Sequence, residues 1–496
     1  MSYTRFVACA LACAVAFLGY AEAGTEAAKA KSSSDKIPIT TKSDQAKQLY
    51  LKGRDLAERL RATDARAQYE KAIALDKDFA LAYVGLANTS GTAKEFFDAT
   101  TRAASLAPKV SEGERHLVLG LEAVMKNDPA STLSHYSTLV KLFPNDERAH
   151  TLLGTNYFGR QDYETAVKHL EKAISINPSF SPPYNQLGYA YRFLNRYDDA
   201  EKTFQKYTEL IPDDPNPYDS YAELLMKMGR FDDSIKNYEK ALSIDPNFIA
   251  SYVGIGNDYL YKGDPEKARA AFAKINEVAR NTGERRQSHF WTAASYVLEG
   301  KTDKAIEAIK TGTALAKAEN DEAGVAGDLN QIGDILREAG RYDEALASYR
   351  EGVSVLDKSR VPAEVKSAAR RNLVFEEGRV AALTNKLSEA KAKSAEYAKQ
   401  VSVKKVPVEI RQQHELAGMI AQAEKRHAEA AVEFQQANQQ DPRVLYMASQ
   451  SLKDSGKSSE AAALADKAAK FNGLAFNYAF VRTKMRGEME AAAKTE

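Results

Sequence analysis

Seven histidines, two cysteines and several adjacent carboxylate pairs are the residues of this chain with chemistry to offer. Histidine can move protons near neutral pH or ligate a metal. A thiolate can attack or bind zinc, and two close carboxylates can divide acid and base roles. The spacing favours none of these. His116, His135, His150, His169, His289, His414 and His427 make no HExxH and no Cys/His set, and His414-Glu415 lacks the second histidine. His150, His289 and His414 share one early place in a recurring pattern, where an aromatic packs. Asp198-Asp199 and Asp232-Asp233 recur in register at helix starts, where acids complement the positive helix end. Gly283-Glu284-Arg285-Arg286 lacks the glycine spacing of a phosphate loop, and no Gly-x-Ser-x-Gly elbow occurs. No catalytic set, cofactor or metal is expected, and the chain reads as a non-enzyme. A net charge of +1, without a long basic block, argues against nucleic-acid binding by phosphate neutralisation.

The elements that must carry these residues announce themselves by repetition. Ala166, Ala200, Ser234 and Ala268 form a small-residue column with a 34-residue period. Leu170, Phe204, Tyr238 and Phe272 form a bulky column four places on. Gly154, Gly188, Ala222 and Gly256 form a second small column, and Pro178, Pro212 and Pro246 close three units. A fixed period of this length marks a solenoid of stacked supersecondary units. Apolar residues at i, i+3 and i+4 predict two amphipathic helices per unit. The small residues sit where the helices cross, and the bulky residue fills the space beside them. Gly229, Gly263, Gly300, Gly340 and Gly456 recur at the turn inside their units, where a left-handed residue ends a helix.

Leu187-Gly188, Tyr191, Ala200, Phe204 and Pro212 together resemble the tetratricopeptide repeat of exported bacterial proteins. The resemblance implies an all-α, right-handed α-solenoid of helix-turn-helix repeats, about twelve of them over residues 45–472. Extra residues at 276–284, 320–324 and 357–364 are expected to lengthen a helix or loop. The resemblance further implies that the first helix of each unit lines a concave surface that binds a protein or an extended peptide. Carried over unit by unit, that surface holds Asn185, Tyr189 and Arg192, then Asp219 and Glu223, then Asn257 and Tyr261, then Asn330 and Arg337. The function expected is a non-catalytic protein-interaction scaffold. The alternative is a glycan or small-solute binder stacking its ligand on Tyr189, Tyr261 and Phe290.

The ends carry separate messages. Met1–Arg5 is a short positive start, Phe6–Tyr20 an apolar run too short for a comfortable membrane span, and Ala21-Glu22-Ala23 a small-x-small cleavage site. Residues 1–23 are therefore read as a secretory signal, placing the protein in the periplasm or outside the cell. Cys9 and Cys13 both fall inside it, so the mature chain has no thiol. Residues 24–44, rich in Ala, Lys, Ser and Thr, read as a flexible leader. Residues 473–496 read as a capping helix for the last repeat followed by a polar tail.

Overall fold

The computed structural model describes residues 35–493. The expected signal, 1–23, and the first part of the leader lie outside the described residues. Within them the chain forms 25 α-helices, one 3-10 turn and no strand. Twenty-four of the helices follow one another as antiparallel pairs, and the last described helix is Asn477–Ala493. This is a helical-repeat solenoid.

The repeat columns explain how each pair closes. Gly188 lies on the Pro182–Phe193 helix and Phe204 on its partner, Tyr197–Leu210. A Cβ on Gly188 would stand 2.6 Å from Phe204 Cζ, so the ring occupies the space that the missing side chain leaves. Gly256 and Phe272 repeat this contact two units on, at 2.1 Å. The turn glycines Gly229, Gly263, Gly300, Gly340 and Gly456 all have positive φ, between 74° and 84°. Asp146 caps the Glu147–Gly159 helix by accepting from Arg148 and Ala149 N–H, and Asp162 caps Tyr163–Ile176 by accepting from Thr165 N–H. Asp199 and Asp233 pair with Arg196 and Arg230, three residues before them, as first-turn acids do. The extra residues are absorbed mainly in longer helices. Thr282–Leu298, Thr302–Ala318, Glu322–Glu338 and Tyr342–Lys358 have 17 residues each, and Ala363–Leu383 has 21.

The described residues divide into two compact units: 35–90 with 95–211, and 212–493 with 91–94. In the first, the stretch expected as a flexible leader is tied down from Lys36 onward. Ile37 N–H donates to Asp146 Oδ2 at 2.9 Å, Thr40 N–H to Glu114 Oε1 at 2.6 Å, and Thr41 Oγ1 to Asp76 Oδ2 at 2.5 Å. Ile37 also packs against the cluster of Leu139, Phe143 and Ala149. Acids at the first, third and fourth helix pairs thus hold this segment, which removes the freedom its composition suggests.

In the second unit the C-terminal segment reaches well beyond the last repeat. Phe476, Tyr478, Ala479, Phe480 and Val481 are buried in one cluster with Leu260, Trp291, Val297 and Leu336. The Asn477–Ala493 helix touches Thr282–Leu298 as well as the last pair, Pro442–Asp454 and Ser458–Ala469. Sealing only the last repeat would leave those aromatics in water. Burying them across the earlier inner helices stabilises by on the order of 25 cal/mol per Å² of apolar surface.

Candidate functional site

The residues expected to form the groove meet different fates. Asn257 and Tyr261 stand one helical turn apart on Ile249–Tyr261. Both are covered by the chain's own C-terminal segment. Tyr478 Oη donates to Asn257 Oδ1 at 3.0 Å. Gly473 N–H donates to Tyr261 Oη at 2.8 Å, while Tyr261 Oη donates to the Gly473 carbonyl at 2.5 Å. The Arg482 guanidinium lies 4.4 Å above the Tyr261 ring, and Phe476 meets Phe290 edge-on at 5.0 Å. These partners come from beyond the repeats, so no repeat column could reveal them.

Asp219 and Glu223 are also buried, and Ser251 Oγ donates to Asp219 Oδ1 at 2.8 Å. The neighbouring Asp258 is wholly buried. Burial pushes its carboxyl up to about 8, against the opposing pull of Ser234 and the charge of Lys262. Trp291 is 1% exposed and packs on Phe272.

Arg337 is the centre of a buried ionic network rather than a groove residue. Its guanidinium reaches Asp334, Tyr349 Oη and Glu376 Oε2, at 2.5, 2.5 and 2.8 Å, and Glu338 at 3.1 Å. Arg379 bridges Glu376 and Glu415, and Arg443 joins Asp441. Burial alone would raise the Asp334 carboxyl; Arg337, Arg443 and Arg379 outweigh it and hold the group below the usual carboxylate range. At Glu415 burial wins over Arg379, and the carboxyl is raised. The network ties four inner helices of the second unit together: Glu322–Glu338, Ala363–Leu383, Pro407–Ala423 and Pro442–Asp454. Asn330, two turns before Arg337, is half-buried.

In the first unit, Asn185, Tyr189 and Arg192 make one stripe on Pro182–Phe193. Asn185 is 6% exposed and its amide oxygen has no hydrogen-bond partner. Arg192 sits 4.7 Å over the Tyr189 ring, and Tyr189 meets Phe204 edge-on at 5.4 Å. A buried acceptor beside a guanidinium stacked on an aromatic can take an N–H and a carboxylate or carbonyl from one ligand. The same unit has an open cleft of about 360 Å³ between Tyr184, Leu187, Tyr191, Lys202 and Lys206. Tyr191 Oη donates there to Glu171 Oε1 at 2.7 Å.

Two of the three aromatics of the solute-binding alternative are engaged elsewhere: Tyr261 and Phe290 pack on Tyr478 and Phe476. Among the described residues, no group of three or more His, Cys, Asp or Glu is placed to hold a metal, and no helix is long and apolar enough to cross a membrane.

Four models of the tetratricopeptide repeat match residues 157–224, 222–263, 253–319 and 329–355. No curated protein matches the chain. Among solved structures, MamA is 27% identical, covering 32% of this chain and 93% of its own length at a TM-score of 0.28. MamA from Desulfovibrio magneticus RS-1 is 18% identical, covering 34% and 97%, at 0.29. TTC0263, a thermophilic TPR protein of Thermus thermophilus, is 16% identical, covering 40% and 99%, at 0.32. From Tyr157 to Glu319 and again from Leu329 to Val355, then, this chain is similar to the tetratricopeptide repeat.

Proposed function

We propose that this protein is a non-catalytic interaction scaffold, and that the Asn185–Tyr189–Arg192 stripe of its first unit receives a partner's peptide segment. The observation that carries the reading is the buried amide oxygen of Asn185, left without a partner beside the Tyr189–Arg192 stack. Burying such an acceptor unpaired costs about 1–3 kcal/mol, which a ligand N–H would recover. The second unit supports the same reading by example. Its inner helices hold a helical segment through an amide, a tyrosine and a phenylalanine, here the chain's own C-terminus.

The place of action proposed is the periplasm or the extracellular space. The positive start, apolar run and Ala21-Glu22-Ala23 site support it. N-terminal sequencing of the mature protein would read Gly24 first; an intact Met1 would overturn the export signal as a cleaved one.

Cross-linking pull-down from that compartment tests the scaffold. Wild type is compared with Asn185→Ala/Tyr189→Ala/Arg192→Ala. A protein captured by wild type and lost with the folded variant supports the stripe. Capture that is indifferent to the substitutions would move the interface elsewhere.

A further inference from the structure

Four of the seven histidines meet in two pairs. His116, on Glu112–Met125, faces His135, on Pro129–Leu142, with Nδ1 atoms 3.0 Å apart. One repeat later, His150 on Glu147–Gly159 faces His169 on Tyr163–Ile176, with Nδ1 atoms 3.3 Å apart. Both pairs join the two helices of a single repeat across 19 residues. The second pair is the first one displaced by the 34-residue period.

We propose that each pair is a two-histidine chelate for a divalent first-row transition ion that prefers imidazole, with zinc as the reference ion and water completing its coordination.

The geometry suits an ion between the nitrogens. Two imidazole nitrogens at about 2.05 Å from one metal stand about 2.9 Å apart at a right angle and about 3.3 Å apart at the tetrahedral angle. The two observed separations fall within that interval. The orientation of His150 is also that of a ligand. Its Nε2 lies 3.1 Å from the Pro144 carbonyl, to which only an N–H can donate. That bond leaves the neutral ring's lone pair on Nδ1, facing His169. A histidine held by a backbone carbonyl through its other nitrogen is the usual outer support of a metal ligand. Tyr157 stacks on His169, with ring planes 5° apart, and fixes its plane.

Charge and access agree. Burial holds all four imidazoles below their ordinary value, so their lone pairs are available at neutral pH. Arg115 and Lys172 add to this at His116 and His150, against Glu112 and Asp146; Asp128 and Glu122 oppose it at His135. His116, His135 and His169 are half-buried rather than sealed, leaving a way in for the ion and its waters. His414 has the same 19-residue spacing but meets Glu433 Oε2 at 2.8 Å, so an acid replaces the second imidazole there. An ion shared by both helices would clip the hairpin shut and stabilise it by mass action.

Zinc chloride alone, titrated calorimetrically into the chelator-treated full chain near neutral pH, tests the proposal. Two ions should bind. His135→Gln should lose one, His169→Gln the other, and the double variant both. Zinc should raise the melting temperature of wild type and leave that of the double variant unmoved. An equal stoichiometry in wild type and double variant would overturn the proposal. So would wild type that takes up no zinc below about 1 mM; the pairs would then be plain imidazole–imidazole hydrogen bonds. Histidine nitrogen NMR needs no substitution and covers the case of a misfolded variant. Zinc should shift His116, His135, His150 and His169; shifts confined to His289, His414 and His427 would reject the chelates.

Discussion

Asp258 is held in the apolar interior with its carboxyl pushed up to about 8, so folding takes up a proton there at neutral pH. The unfolded group titrates near 3.8. Between the two values the folded state binds more protons than the unfolded one, and stability must fall as pH rises. Below the lower value the contribution is fully present; above the upper it is gone. Denaturation read at Trp291, the only tryptophan and in the same unit, should show that slope. Asp258→Asn, which is neutral at every pH, should flatten it and be the more stable protein at pH 8, by on the order of several kcal/mol. Arg337 makes the opposite case, since its charge is needed where it lies. Arg337→Met strands Asp334, Glu338 and Glu376 without their common cation, and should cost about 3–5 kcal/mol in the same assay. Removing Glu376 in addition should return part of that loss.

Helices here stop and cross at positions their sequence already marks. Gly263 ends its helix at φ 81° with nothing within 4 Å of an added Cβ, so Gly263→Ala meets no clash and isolates the backbone effect. It should destabilise by about 1 kcal/mol, seen as a lower urea midpoint at unchanged slope. Gly188→Ala is a packing change instead. It forces a methyl to 2.6 Å from Phe204, should cost about 1–3 kcal/mol, and should be partly rescued by Phe204→Leu. These features were legible because they are local and periodic. A 34-residue column reports contacts inside a helix pair, and the turn glycines are the residues that a left-handed turn selects. The functional residues were less legible for the same reason. Asn257 and Tyr261 were placed on the inner helix by the period, but their partners Tyr478 and Gly473 lie 221 and 212 residues away in nonrepeating sequence. Arg337 read as a groove residue because one of its acids, Glu376, comes from another repeat. The histidine pairs left a faint signal, a 19-residue spacing used twice at the repeat period.

For the second unit as a whole, the C-terminal segment is both partner and cover. Truncation after Asn472 should uncover Asn257, Tyr261, Phe290 and Trp291. Trp291 fluorescence should shift to the red, and amide exchange should rise in Ile249–Tyr261 and Thr282–Leu298. Unchanged emission and exchange would mean that the segment is a passive tail. Adding the missing segment back as a separate peptide should reverse both signals, because the contacts are side-chain and terminal rather than part of the repeat stacking.

That segment also sets an order of events. Each helix pair closes over a few tens of residues and can form as it leaves the ribosome, since local contacts assemble fast. The contacts of Tyr478 with Asn257, of Gly473 with Tyr261 and of Thr483 with the Val297 carbonyl span 221, 212 and 186 residues. They cannot form until residues 473–483 have been made. During synthesis the inner aromatics of the middle repeats therefore stay open, and the final helix closes them. A chain that stops before Gly473 keeps that aromatic surface on display, so residues 473–483 separate a molecule that carries its cover from a fragment that lacks it.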